Sequence, residues 1–472
     1  MWFQSKTGVS GWTTPSELVA QALGWVIVTD PSIGAKGDGK TDCTAAVQAA
    51  FNAAAVKGKT VYFPAGDYLI SDTIKVDTRN SLEVAGAKSG VRNGWNTHGG
   101  AFLVWGGASG GKMVLISQAE NVSWSGVGFH GQKLAKALCF WAANDPMSSI
   151  TPKTETVQVG RFRDFHIYRA TTGVELNDAG DNSQCDKLLF ESVRMEECVT
   201  YGFYANSMNV TTIRFSRCAT AAADPDGGFI HYMLVKCAMM KIEDCNGAYG
   251  QDFVRVGASA HTVIVDNSQH EGGANPDRAF VRIGSGSTET MDTTIIRGCV
   301  IDNPCIVQGY GRRVLSEGNL WHTAGNAPGG NASIVLAGND VRWTSLAEPS
   351  APTPTVSGVN ALFRVLDSDT PRGAPTPGTA SGTGASSVSI TGSVFRGQVA
   401  FTTGSNMGAN GEAIAITGVP LGPKMVPVIS PANAAAAAAG AYVGTIGSVQ
   451  WGINLASPPS AATRMVFNYT LG

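Results

Sequence analysis

The chain has 472 residues, 43% of them hydrophobic, so it can bury a large core. Charged residues make up only 15% and the formal net charge is −2, which argues against a nucleic-acid binder with its basic footprint. Nine cysteines without paired spacing suit assembly in a reducing cytoplasm better than a disulfide scaffold. No signal peptide and no apolar run of about 20 residues is evident, so no membrane span is expected.

Residues 1–30 read as an N-terminal arm, with a short helix suggested by Thr14-Pro15-Ser16-Glu17 and the apolar residues after it. A Gly-rich turn follows, Ile33-Gly34-Ala35-Lys36-Gly37-Asp38-Gly39-Lys40-Thr41-Asp42. Asp42 or Thr41 can cap a helix over Cys43–Val56 whose stripe is Ala46, Val47, Ala50 and Phe51. Thr60-Val61-Tyr62-Phe63-Pro64-Ala65-Gly66-Asp67-Tyr68-Leu69-Ile70-Ser71 then enters a strand.

From Leu188 to Gln308 one pattern recurs: Phe190, Phe215, Ile242, Val265 and Ile296 each open a short unit that ends on a small residue. A second short strand follows each, at Tyr201–Ala205, Gly228–Tyr232, Asp252–Val256, Ala279–Ile283 and Pro304–Gln308. Short period-two segments at irregular spacings of about 20–30 residues mark a solenoid whose coils stack. The fold expected is all-β: a right-handed parallel β-helix over 31–346, with an N-terminal capping helix that covers the open first coil. Cys218, Cys245, Ser268 and Cys299 should pile into one internal column. Val122–Val127 and Arg161–Phe165 fit the same pattern, while Ser89–Gly107, holding Trp95, His98 and Trp105, reads as a long loop.

Residues 347–383 are rich in Pro, Ser, Thr and Gly and read as a linker with one strand at Ala361–Leu366. Residues 384–472 read as a small β-sandwich of seven strands with few charges, a surface suited to oligomerisation or glycan binding.

The 33–76 stretch resembles the opening of the pectate-lyase-like superfamily, in the branch of bacteriophage tailspikes and polysaccharide depolymerases. The resemblance implies a homotrimeric tailspike of the virion. Such a protein binds a bacterial surface polysaccharide, cleaves it within the chain, and can dock on a tail or baseplate adaptor. It leaves Asp38 and Asp42 as structural residues, because the motif is a cap. The Asn-Thr-Asp, Asp-Asp and Gly-His-Gly motifs of the polygalacturonase branch are absent, so no catalytic residues carry over.

The residues themselves suggest a site. Alternation in Asp252–Val256 and Ala279–Ile283 would send Phe253, Arg255, Phe280 and Arg282 outward, with Phe229 and His231 in the same register. That surface would bind sugar rings and their carboxylates or hydroxyls. Turns along its edge hold Glu196, Glu197, Asp224, Asp226, Asp252 and Glu271. Asp224, Asp226, Asp252 and Glu271 are the candidate acid and base for glycosidic hydrolysis, which needs two carboxylates about 5–9.5 Å apart. Elimination would instead use His231, His270 or Lys236 as base with Arg255 beside it. No metal motif and no cofactor is suggested, and a non-catalytic glycan-binding fibre is the alternative to an enzyme.

Overall fold

The computed structural model describes residues 2–4, 10–12, 22–77, 81–87, 92–93, 96–97, 99–117, 119–140, 156–177, 184–207, 210–224, 227–271, 278–284, 293–302, 305–307, 313–322, 332–336, 342–346, 355–356, 362–365, 385–392, 396–403, 412–417, 427–439, 441–446, 450–455 and 464–471. They form two compact units, Met1–Val359 and Asn360–Gly472.

The first unit is a parallel β-helix. Most of its described strands lie in an 11-stranded and a 23-stranded sheet, and the coils from Thr60 to Trp321 contribute to both. The repeat positions superimpose: Trp124, Phe162, Phe190, Phe215, Ile242, Val265 and Ile296 are successive register partners. Their rings stack, with Phe162 on Phe190 at 5.1 Å and Phe190 on Phe215 at 5.3 Å. Removing these rings from water is the main gain, at about 25 cal/mol per Å² of apolar surface.

A single left-handed residue carries the chain from the larger sheet to the smaller one. Asp164, Ser192, Arg217, Asp244, Asn267, Gly298 and Gly318 hold this corner on seven coils, with φ between 44° and 61°. The next residue on each coil points inward. Phe165, Val193, Cys218, Cys245, Ser268, Cys299 and Asn319 therefore form one internal column, all buried. The expected thiol ladder is present, and all cysteines whose side chains are described are free and buried.

The ladder is also a hydrogen-bond device. Cys245 N–H donates to Ser268 Oγ at 3.1 Å, and Cys299 N–H to Asn319 Oδ1 at 2.8 Å. Backbone groups at the corner, too far turned to join either sheet, are satisfied by the next rung's side chain.

The first coil is closed by helix α1 (Thr44–Lys57), as expected. Val47, Ala50, Phe51 and Ala54 face the core, and Phe51 stacks on Trp124 at 6.1 Å. Asp42 accepts from Thr44 N at 2.9 Å and from Ser71 Oγ at 2.5 Å, tying the helix start to the first coil. Asp38 accepts from the backbone of Thr41 and Lys40, which pulls its carboxyl down to about 2. Both aspartates thus hold the cap. Gly58, at φ 58°, ends the helix in the left-handed conformation.

One expectation needs correction here. Ala101–Trp105, placed within a loop by the sequence, is a strand of the 11-stranded sheet, and Trp105 is buried. Its indole donates to Ala108 O at 3.0 Å, so a polar edge made this core residue look like a loop residue. Trp95 and His98 lie outside the described residues, as does most of the suggested N-terminal helix.

In the second unit, Ala385–Gly392, Arg396–Thr403, Pro427–Pro431 and Arg464–Leu471 form a four-stranded antiparallel sheet. Glu412–Thr417, Ala441–Ile446 and Gln450–Leu455 form a three-stranded one. These are the seven strands of the anticipated sandwich. The alanine run is a short helix, Ala434–Ala438, whose start is capped by Asn433.

Candidate active site along one edge of the solenoid

The 11-stranded sheet presents one residue inward, then one outward, before the chain leaves it. Ile167, Met195, Thr220, His270 and Ile301 point inward and are buried. The following outward column runs His130, Tyr168, Glu196, Ala221, Ala248 and Glu271. Gln269 pairs with Val300, which puts Asp302 next in line after Glu271. Successive members are about 4.8 Å apart.

The column has three zones. At one end Glu196 and Glu197 are tied up: Tyr168 Oη donates to Glu197 at 3.1 Å, Arg169 Nε to Glu197 at 2.8 Å, and Arg194 Nε to Glu196 at 2.6 Å. Burial pushes Glu196 up, but His166 and Arg194 outweigh it and leave the carboxyl below its usual range. In the middle Ala221 and Ala248, with Ala219 beside them on the same face, leave a low floor of small side chains, none of them fully buried. At the other end stand Glu271 and Asp302.

Glu271 is exposed and accepts from Asn246 Nδ2 at 3.1 Å. Asp302 is only 6% exposed. Burial pushes its carboxyl above the usual carboxylate range, and the negative charge of Glu271 adds to this against the pull of His322 and Arg278. Two carboxylates on consecutive rungs, one prone to keep its proton, form an acid–base arrangement.

The other candidates fall as follows. Asp224 is exposed, on the turn leaving Ala219–Ala222 at the same edge. Asp226 lies outside the described residues. Asp252 has no exposed surface; its Oδ2 accepts from Arg255 Nε at 2.5 Å and from Arg282 Nε at 2.9 Å. Arg255 and Arg282 are register partners, so Asp252 separates two stacked cations and is a brace within the wall.

The expected outer aromatic surface is overturned. Phe229, His231, Phe253 and Phe280 are buried, and Arg255 and Arg282 share their column with Met233, not with His231. Alternation fails because the strand Asp252–Asp266 begins at a corner, where Asp252, Phe253 and Val254 are all covered. Gly247 makes room for the ring: a Cβ there would lie 2.6 Å from Phe253 Cδ2. Phe253 stacks inside on Phe280 at 5.3 Å and on His270 at 5.8 Å.

His231 and His270 are likewise interior. Both Nε2 atoms donate to the carbonyl of Tyr249, at 2.7 and 2.9 Å, and Thr220 Oγ1 lies 2.6 Å from His231 Nδ1. Burial holds both imidazoles neutral, His270 at about 4 and His231 well below its ordinary value. Neither can reach a substrate, so the suggested bases for elimination are withdrawn, leaving only the exposed Lys236. No cluster of metal-ligating side chains occurs among the described residues.

Asp302 was missed from the sequence. Its signal was there: Glu196, Ala221, Ala248, Glu271 and Asp302 each stand three places after the column residue Val193, Cys218, Cys245, Ser268 or Cys299.

The fold is a parallel β-helix that carries an acidic edge. Residues 25–98 match the family described as rhamnogalacturonase A/epimerase, pectate lyase-like. That match takes in the motif at 33–76. A stretch of 88 residues is 40% identical to "Depolymerase 1, capsule K30/K69-specific" of Klebsiella phage K5-2, covering 17% of this chain and 11% of that protein. Among solved structures, a tailspike of E. coli bacteriophage HK620 in complex with a pentasaccharide superimposes with a TM-score of 0.48 at 9% identity, covering 100% of this chain and 97% of that one. The tailspike of Acinetobacter phage vB_ApiP_P1 does so with a TM-score of 0.47 at 12% identity, covering 99% and 89%.

Proposed function

We propose that this chain is a phage tailspike that binds a bacterial surface polysaccharide and hydrolyses it within the chain. The observation that carries the chemistry is the placement of Glu271 and Asp302 on consecutive rungs of one column. Adjacent rungs lie about 4.8 Å apart, a spacing compatible with the close pair of carboxylates of a retaining hydrolase. Asp302 donates its proton to the glycosidic oxygen as the C–O bond breaks, and Glu271 bonds to the anomeric carbon. Water, giving its proton to Asp302, then displaces Glu271 and regenerates the site. The alanine floor beside them runs along the solenoid axis, a track for an extended chain. Glu196 and Glu197, already paired with cations, are wall groups in this reading, and Asp224 borders the track.

The likeness to a capsule depolymerase over part of the chain supports the substrate class. Residues 384–472 are proposed to hold three chains together, and residues 1–30 to meet the virion.

The test is a panel of purified capsular polysaccharides and O-antigens incubated with the protein. New reducing ends without ultraviolet absorbance identify hydrolysis; absorbance of an unsaturated uronate would identify elimination and overturn the acid–base assignment. Binding without any cleavage would identify a fibre that only recognises glycan. Glu271→Gln and Asp302→Asn should each lower kcat by at least about a thousandfold without loss of binding.

A further inference from the structure

Between Ala248 and Asp252 the chain turns on Tyr249 and Gly250, both left-handed, at φ 64° and 80°. Such a pair of positions favours Gly and Asn, and a bulky aromatic there strains the backbone. Gly250 is required: a Cβ there would lie 2.8 Å from Phe229 O and 3.3 Å from His231 Nε2. Tyr249 is different, because no backbone contact demands its ring.

The turn is fixed with unusual care. The Tyr249 carbonyl takes hydrogen bonds from two buried imidazoles, and its N–H donates to Glu271 O at 2.8 Å. The Tyr249 peptide is thus held from the interior on one side and by the backbone of Glu271 on the other. Its side chain remains 44% exposed, the only tyrosine among the large hydrophobic side chains standing out into solvent in the described residues. It stands where the coil leaves the alanine floor, one rung from Glu271.

Resting on the polysaccharide reading above, we propose that the Tyr249 ring is the platform on which a sugar ring of the substrate stacks beside Glu271. The buried pair His231 and His270 acts on it as positioning residues, fixing the peptide from which the ring projects. An aromatic face offers the axial C–H surface of a pyranose an apolar contact, while the carboxylates work on the adjoining linkage. Rigid anchoring matters because a platform that must be ordered on binding returns less affinity.

The test uses the full chain and the same polysaccharide panel. Tyr249→Gly removes the ring while relaxing the backbone, so the variant should fold at least as well as the parent, which its unfolding midpoint will report. Expected is a rise of about tenfold in KM and in the dissociation constant measured on a Glu271→Gln background, with a smaller change in kcat and an unshifted pH profile. Tyr249→Trp should restore binding to within about twofold. Unchanged binding and KM in Tyr249→Gly, with the parent active, overturn the platform and leave the hydrolase reading standing. If the parent neither binds nor cleaves any member of the panel, the polysaccharide reading itself falls, and the platform falls with it.

Discussion

Cys245 sits directly beneath Ser268, and its backbone N–H donates to the serine oxygen at 3.1 Å. Ser268 Oγ in turn donates to Asp266 O at 2.7 Å, so one buried hydroxyl serves two coils. Replacing it with Val fills the space but strands a buried donor, at a cost of about 1–3 kcal/mol. Ser268→Cys, matching the thiols on either side, should recover most of that loss. Guanidinium unfolding of the three proteins side by side measures both effects.

The neutral histidines make stability depend on acid. Folding depresses His270 to about 4, so the unfolded chain takes up the proton first as pH falls below about 6.5. Stability is full above that point and is lost between it and the folded value, by on the order of 3 kcal/mol. His231 shifts in the same direction and steepens the loss. Unfolding midpoints at pH 7, 5.5 and 4.5 should lie closer together in His270→Gln than in the parent.

Burial first, and then the negative charge of Glu271, push the Asp302 carboxyl above its ordinary value. Cleavage should therefore decline only as pH rises past the ordinary carboxylate range. Glu271→Gln removes the neighbouring charge and should move the Asp302 titration downward. Carboxyl carbon-13 shifts of labelled aspartate follow this without any substrate.

Asp252 and Asp224 should behave oppositely. Asp252→Ala leaves Arg255 and Arg282 stacked without their shared carboxylate and should cost about 3 kcal/mol. Asp224→Ala, on an exposed turn, should change stability by no more than about 0.5 kcal/mol. A double replacement, Asp252→Ala with Arg255→Met, should regain part of the loss.

These contrasts show where sequence reading succeeds. The Phe190-to-Ile296 column was legible because one corner has the same geometry on every coil, so apolar spacing maps directly onto register. The second strands were legible as strands, at Tyr201–Asn206, Asp252–Asp266 and Ala279–Ile283, but their facing was not, because period-two alternation does not hold at the corner where they begin and their first three residues are covered in two of them. Inside and outside were consequently exchanged for Phe253 and Phe280. Glu271 was within reach as a turn residue, whereas Asp302 required knowing that Gln269 lies over Val300.

The left-handed corner also has an evolutionary reading. One left-handed residue suffices there on seven coils, whereas the opposite edge bridges with two residues between Cys198 and Tyr201, seven between Ala222 and Ile230, three between Ala248 and Asp252, and seven between Glu271 and Ala279. The first corner works as a ratchet that resets each coil to the same phase. Insertions at the second can then lengthen, shrink or change chemistry without propagating an error along the stack. Chemistry can thus vary along the rim while the stacked coils beneath it stay as they are.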